Sequence, residues 1–170
     1  MSFLKSSATG LPQSTAMPMK WFYFLIWCNL FLTAFMNVSA AVQLFDEYKI
    51  VSASVAHGTL LAAAQPHAGV IQFLYLLFAA VCIGLAILAI ITRMRLARFR
   101  ANGPTLLYVN YILGAVLEIS VLIFSTWIYE LLGQAQPFPI SDVVSTMFVA
   151  VLYVCLNHVY FTKRAQLFVN

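Results

Sequence analysis

Four long apolar stretches constrain the fold of this chain more than any other feature of its sequence. A transmembrane helix needs about 20 consecutive apolar residues to cross a hydrocarbon core about 30 Å thick. Four segments reach that length, so we expect an all-α fold: an integral membrane four-helix bundle with up-down connectivity. It is predicted to be a single domain over residues 1–170, with spans at about 20–45, 69–92, 105–132 and 140–162.

Composition supports the membrane class and excludes a soluble globular domain. The chain is 63% hydrophobic and only 8% charged, whereas soluble domains carry about 25% charged residues. Its excess of basic residues, 9 against 5 acidic ones, does not indicate nucleic-acid binding, because Lys and Arg accumulate in the cytoplasmic loops of membrane proteins. We therefore expect the lipid bilayer as a partner and no nucleic acid.

The basic residues lie almost entirely on one side of the predicted spans. If the N-terminus is cytoplasmic, only Lys49 falls outside, whereas the acidic residues Asp46, Glu47, Glu130 and Asp142 all do. This distribution predicts that both termini are cytoplasmic. The basic residues on the cytoplasmic side are Lys5, Lys20, Arg93, Arg95, Arg98, Arg100, Lys163 and Arg164.

The connections between spans differ in length. Asn-Gly-Pro at 102–104 is typical of a helix stop followed by a new start, with Gly after one helix and Pro at the beginning of the next. The connection 46–68 is longer and half-apolar, and its 50–64 part is expected to form a short helix in the outer interface. Within the spans, Gly84 and Gly114 are expected to allow close approach between helices.

Glu118 is the one acidic or basic residue that falls near the middle of a span. A charged side chain at the bilayer centre costs about 2.5–3.5 kcal/mol or more, and such residues usually face the bundle interior, pair with another group or mark an ion pathway. Glu118 is therefore the leading candidate for a functional residue.

Helical spacing places other intramembrane polar residues on shared faces. Asn110, Gly114 and Glu118 are separated by four residues each on the third span, as are Asn29, Thr33 and Asn37 on the first. Polar faces in lipid point inward, so we expect a polar interior that widens toward the cytoplasm, with Glu118 at its inner end. The predicted ion, proton or polar-cavity residues are Glu118, Asn29, Asn37, Asn110, Tyr153 and Asn157.

Two functions are compatible with this pattern. In the first, the chain is a small transport or channel-type protein, Glu118 binds a cation or proton, and Asn29, Asn110 and Asn157 line a cytoplasmic vestibule. A four-helix bundle is narrow for a pore, so this function predicts a homo-oligomer. In the second, the chain is a non-catalytic scaffold or accessory subunit, and Glu118 is a buried residue hydrogen-bonded between helices, for example to Asn37 or Tyr153.

The sequence does not indicate an enzyme, a cofactor or a metal site. It contains no nucleophile–base pair, glycine-rich phosphate loop or paired carboxylates. The spacing of His57 and His67 matches no standard metal motif. Cys28, Cys82 and Cys155 are interpreted as small buried hydrophobic residues.

A basic loop lies between the second and third predicted spans. Four arginines within eight residues set the orientation of the chain, and they also suggest contact with anionic lipid at the cytoplasmic face. These residues are Arg93, Arg95, Arg98 and Arg100.

Five short stretches together resemble a group of small four-span bacterial inner-membrane proteins. They cover the start of the first span, the basic loop with the turn after it, and an aromatic–Lys-Arg–Leu-Phe tail. The resemblance implies a multi-pass protein of the bacterial cytoplasmic membrane and assigns no chemistry to any residue. The stretches are residues 20–25, 92–97, 102–104, 107–108 and 160–168.

Overall fold

The computed structural model describes residues 20–60, 62–134, 137–164 and 168. Over these residues the chain forms four long helices and no strand, as predicted. All four are long and apolar enough to cross a membrane. They are α1 (Lys20–Ala56), α2 (Ala68–Ala97), α3 (Gly103–Leu131) and α4 (Ile140–Thr162), with a short 3₁₀ turn, Gln65–His67, before α2.

Two packed clusters at opposite ends of the bundle define its topology. The terminal cluster contains Phe22 from the start of α1, Leu96 from the end of α2, Leu107 from the start of α3 and Phe161 from the end of α4. Consecutive helices therefore run antiparallel. The distal cluster joins the other ends of α1, α2 and α3 through Ala64, Ile71 and Phe124, with Val51 packed against it.

Helix α1 is longer than the sequence suggested. The prediction of a separate short helix over 50–64 is wrong, because α1 continues without a break to Ala56. At 1.5 Å per residue its 37 residues span about 55 Å, well beyond a hydrocarbon core of about 30 Å. The extension is held by Val51, which packs against the distal cluster.

A π-helical segment, Leu25–Asn29, interrupts the first turns of α1. A π turn shifts backbone hydrogen bonds from four to five residues apart and leaves a carbonyl without its normal partner. The Nε of Arg93 on α2 donates to the carbonyl oxygen of Ile26 at 3.1 Å, and its guanidinium lies 4.6 Å from the centre of the Trp27 ring. Arg93 therefore joins α2 to the irregular part of α1.

Three helices end with one residue in the left-handed conformation. At the ends of α1 and α3 this residue is glycine, Gly58 (φ 66°) and Gly133 (φ 71°), whereas at the end of α2 it is Phe99 (φ 50°). The amide of Phe99 donates to Leu96 and the next amide to Arg95, which is a Schellman motif with an aromatic residue where glycine is usual. Phe99 stacks on Phe22, with ring centres 5.1 Å apart.

The glycine that lies at a close helix contact within this chain is Gly103, and not Gly84 or Gly114 as expected. A Cβ added at Gly84 or Gly114 would meet nothing within 4 Å, so that expectation is wrong. A Cβ at Gly103 would lie 3.0 Å from the Leu96 side chain and 3.3 Å from its Cα. Gly103 does not follow α2 as a left-handed cap; it begins α3, where the two helices meet too closely for a side chain.

Candidate functional site

Glu118 lies at the junction of two cavities. It is on α3, exposed in the isolated chain, and it lines both a cavity of about 330 Å³ and one of about 640 Å³. Asn37 of α1 and Gly114 of α3 also line both. The two spaces therefore meet at the middle of α3, where sequence analysis placed the candidate site.

The smaller space, here the polar cavity, lies between α1, α3 and α4. It follows the predicted polar faces, because Asn110, Gly114 and Glu118 succeed one another by one helical turn on α3. Helix α4 supplies hydroxyl groups opposite them. Its polar lining residues are Thr33, Asn37, Asn110, Tyr111, Glu118, Ser145 and Thr146.

Asn110 is the most unusual residue of the polar cavity. It is 3% exposed, and neither its Nδ2 nor its Oδ1 has a hydrogen-bond partner within the described residues. Leaving a buried amide unpaired costs about 1–3 kcal/mol, so such groups normally satisfy each other or bind water or a ligand. Both polar atoms have almost no accessible surface, so Asn110 forms part of the cavity wall without presenting its amide to the space.

The carboxylate of Glu118 does not form the internal contact that a packing role requires. Within the described part of the chain, the one acid–base ion pair is Lys49–Asp46. Asn37 donates to the carbonyl of Thr33 at 2.9 Å rather than to Glu118. Within the described part of the isolated chain Glu118 therefore forms no hydrogen bond with Asn37 or Tyr153, and a helix-linking role for it stays a prediction.

Asn29 does not reach the cavities. Its Oδ1 accepts a hydrogen bond from the hydroxyl of Tyr111 at 2.9 Å, and Tyr111 itself lines the polar cavity. Tyr111 thus separates Asn29 from the space around Glu118. Helical spacing could not predict this role, because an aromatic residue within a span usually faces lipid or packs against other apolar side chains.

Asn157 and Tyr153 also belong to the packing rather than to the cavities. Asn157 is fully buried; it accepts from Nε1 of Trp21 at 3.2 Å and donates to the carbonyl of Tyr153 at 2.8 Å. The Tyr153 ring lies 5.3 Å from that of Tyr111. The predicted vestibule lined by Asn29, Asn110 and Asn157 is therefore not formed, because two of its three members hold helices together.

The larger space, here the apolar cavity, lies between α1, α2 and α3. Its walls are mainly hydrophobic, and Glu47 lines it together with Glu118. Glu47 was not predicted as a cavity residue, because the first span was expected to end at Phe45. The hydrophobic lining residues include Met36, Leu44, Cys82, Leu117, Val121 and Leu122.

Neither cavity has a cationic lining among the described residues. The residues around both spaces include no Lys, Arg or His. Near the end of α1, the ammonium of Lys49 lies 3.0 Å from the carboxylate of Asp46 and over the ring of Phe45. Lys49 thus forms its ion pair with Asp46 rather than with Glu47. Glu47 lines the apolar cavity.

The four loop arginines separate into two groups. Arg93 is engaged with Ile26 and Trp27, so it is not a free lipid ligand. Arg95 and Arg100 line a cavity of about 480 Å³ at the end of α2, and Arg98 is exposed. Contact of Arg95, Arg98 and Arg100 with an anionic headgroup therefore stays a prediction.

The cysteines and acidic residues do not assemble a metal site. Over the described residues, no group of three or more His, Cys, Asp or Glu side chains lies close enough to hold an ion. Cys82 is buried, as expected, but Cys28 and Cys155 are exposed on the outside of the bundle, where a small apolar thiol faces lipid as readily as protein.

The fold and the apolar helix lengths define a multi-pass, all-α membrane protein. Comparison with protein-family profiles, with curated proteins and with solved structures finds no match to this chain.

Proposed function

We propose that this chain is a small membrane transport protein in which Glu118 binds the transported cation or proton. One observation carries the proposal: a carboxylate in the middle of an apolar helix lines two cavities without an ion partner among the described residues. A charge kept at that depth at a cost of a few kcal/mol needs a compensating interaction. A cation bound in the cavity supplies it.

The two cavities give Glu118 a route of approach. The apolar cavity is lined at one end by Glu47 and at the other by Asn37 and Glu118. Residues 37 and 47 are about 15 Å apart along α1 at 1.5 Å per residue. A cation entering beside Glu47 thus reaches Glu118 through one continuous space, and the polar cavity extends beyond it to Asn110.

The competing proposal is a scaffold or accessory subunit. It is favoured by the hydrogen bonds of Asn29 with Tyr111 and of Asn157 with Trp21, which are typical inter-helix links in membranes. Glu118 takes part in neither hydrogen bond, however. A scaffold role for Glu118 therefore requires a group from another chain that binds its carboxylate, whereas transport uses the cavities that this chain already forms.

The positive-inside rule supports a cytoplasmic location for the terminal cluster and the arginine loop. In that orientation Glu47 and the mouth of the apolar cavity face the opposite side of the membrane. Insertion in a bacterial inner membrane, anionic-lipid contact at the remaining arginines and a homo-oligomer stay predictions.

Flux through reconstituted liposomes tests the proposal. We expect wild-type protein to carry Na⁺, K⁺ or protons down an imposed gradient. Glu118→Gln removes the charge while keeping the side-chain size, and it is expected to lower that flux by at least about tenfold, equivalent to about 1.4 kcal/mol. Flux is followed with an ion- or pH-sensitive dye trapped inside the vesicles.

Glu130→Gln is the matched control, because Glu130 is an exposed carboxylate on the same helix and lines neither cavity. Its flux should equal that of the wild type. Equal flux from Glu118→Gln and wild-type protein, or an absence of flux for all these ions and for the amines described below, would contradict the proposal.

A further inference from the structure

The two cavities that meet at Glu118 have different chemistry. The polar cavity is surrounded by amide and hydroxyl groups, including Asn37, Asn110 and Thr146. The apolar cavity has hydrophobic walls such as Met36, Leu117 and Val121. A ligand that occupies both spaces therefore needs a polar end and an apolar end, with Glu118 where the two ends join.

The charges at the cavities select a cation. Glu118 lines both spaces and Glu47 lines the outer part of the apolar one, and the described lining contains no basic residue. Carboxylates lining a low-dielectric cleft attract counter-ions and raise their local concentration. An anionic or neutral ligand would leave Glu118 uncompensated.

The polar cavity favours a charged end that carries N–H groups. Asn37, Ser145 and Thr146 line it together with Glu118, and their side-chain oxygens can accept hydrogen bonds. An ammonium N–H can donate to such an oxygen, whereas a quaternary nitrogen cannot. A bound proton on Glu118 would not by itself fill this space.

The volumes of the cavities exceed the needs of a bare metal ion. Sites for hard cations surround the ion with several oxygens at about 2–2.6 Å, whereas the spaces here measure about 330 and 640 Å³. Pockets for organic ligands fall at about 300–1,000 Å³ with mostly apolar walls and a few polar groups. The apolar cavity matches that description.

We propose that the ligand is a protonated amine with an apolar body. Its ammonium group binds Glu118 and the hydroxyl of Thr146 in the polar cavity, and its body lies against Met36, Leu117 and Val121 in the apolar cavity. Glu47 attracts the cation at the mouth. This inference rests on the proposed function, because it names the class of cation that Glu118 receives.

A ligand series tests the inference by titration calorimetry on the detergent-purified full chain at neutral pH. The probes are 2-phenylethylamine, methylamine, which lacks the apolar body, and 2-phenylethanol, which lacks the charge. We expect 2-phenylethylamine to bind at least about tenfold more tightly than either of the others, because each lacks one of the two contacts. In Glu118→Gln the preference over 2-phenylethanol should disappear.

The N-trimethyl derivative of 2-phenylethylamine keeps the charge and loses the N–H groups, so it tests the hydrogen bond to Thr146. Thr146→Val removes the hydroxyl at nearly constant size. It should weaken the amine by about tenfold, the cost of a hydrogen bond to a charged group, and leave the trimethyl derivative unchanged. Glu130→Gln serves as the control and should bind every probe as the wild type does. The ligand series itself needs no variant that could misfold.

Equal binding of the amine and the alcohol, or of 2-phenylethylamine and methylamine, would overturn the inference. If no amine binds while Na⁺, K⁺ or proton flux depends on Glu118, the inference fails and the proposed function stands. If amines do not bind and no Glu118-dependent flux is found, both fail.

Discussion

At the scale of single residues, two buried asparagines show how differently one side chain is used in this bundle. Asn157 is fully buried and uses both ends of its amide, accepting from Trp21 and donating to Tyr153. Asn110 is almost as buried and uses neither. Asn157 therefore contributes to stability, whereas the unpaired amide of Asn110 lowers it.

This contrast gives a stability prediction of opposite sign at the two positions. Asn110→Leu removes an unpaired buried amide and should raise the free energy of unfolding by about 1–3 kcal/mol. Asn157→Leu leaves the indole N–H of Trp21 without its acceptor and should lower the free energy of unfolding by a similar amount. Thermal unfolding in detergent, without ligand, measures both. A loss of stability in Asn110→Leu would show that Asn110 has a structural partner.

Helical spacing alone predicted that Asn37, Asn110 and Glu118 share one region, and the structure brings them to one cavity. It could not predict that Asn29 and Asn157 bond to aromatic residues. Those bonds depend on how each helix is rotated and offset against its neighbours, which brings Tyr111 to Asn29 and Trp21 to Asn157.

At the scale of helices, the end of α2 stores backbone strain at Phe99. A left-handed conformation costs about 1–2 kcal/mol for an L-residue with a side chain, and glycine serves this position at the ends of α1 and α3. Phe99 offsets the cost by stacking on Phe22 and lying 5.6 Å from the ring of Phe168. Phe99 therefore closes the terminal cluster where the first and last helices meet.

At position 99 we expect the glycine variant to be more stable than the alanine variant, the reverse of the usual order within a helix. Both Phe99→Ala and Phe99→Gly lose the aromatic contacts, but glycine also removes the strain, so it should be the more stable of the two by about 1 kcal/mol. At Ala97, within α2, replacement by glycine should instead destabilise by about 1 kcal/mol. Thermal unfolding compares the three variants; alanine outranking glycine at position 99 would contradict the strain argument.

The helices themselves were predictable because an apolar stretch of about 20 residues is the length that a helix needs to cross a bilayer. All four were placed from the sequence, but the extension of α1 to Ala56 was not. Hydropathy predicts where a helix leaves the lipid, but it does not predict whether the helix continues in water. That continuation depends on Val51 packing against the distal cluster, and it makes Glu47 part of a cavity wall.

At the scale of the whole molecule, packing is concentrated at the two ends of the bundle. Among the described residues the terminal cluster contains side chains of all four helices and the distal cluster side chains of α1, α2 and α3, and the two cavities lie between them around Glu118. By the positive-inside rule, the basic residues of the terminal end predict that it is cytoplasmic. Transport through Glu118 thus requires that the cavities be reached from the Glu47 side while the terminal cluster stays closed.

A single cysteine beside Glu118 reports this access most directly. Leu117 lines the apolar cavity and is half-buried, so Leu117→Cys places a reachable thiol next to the carboxylate. The native cysteines are removed first, Cys28 and Cys155 as serine and the buried Cys82 as alanine. A membrane-impermeant cationic methanethiosulfonate is added to intact spheroplasts, from the side that Glu47 is proposed to face. We predict that it modifies the thiol at position 117, and that Glu118→Gln slows the cationic reagent more than an anionic one of the same chemistry. Modification only after the membrane is dissolved, or equal rates for the two reagents whether or not Glu118 is replaced, would contradict a water-reachable cation site at Glu118.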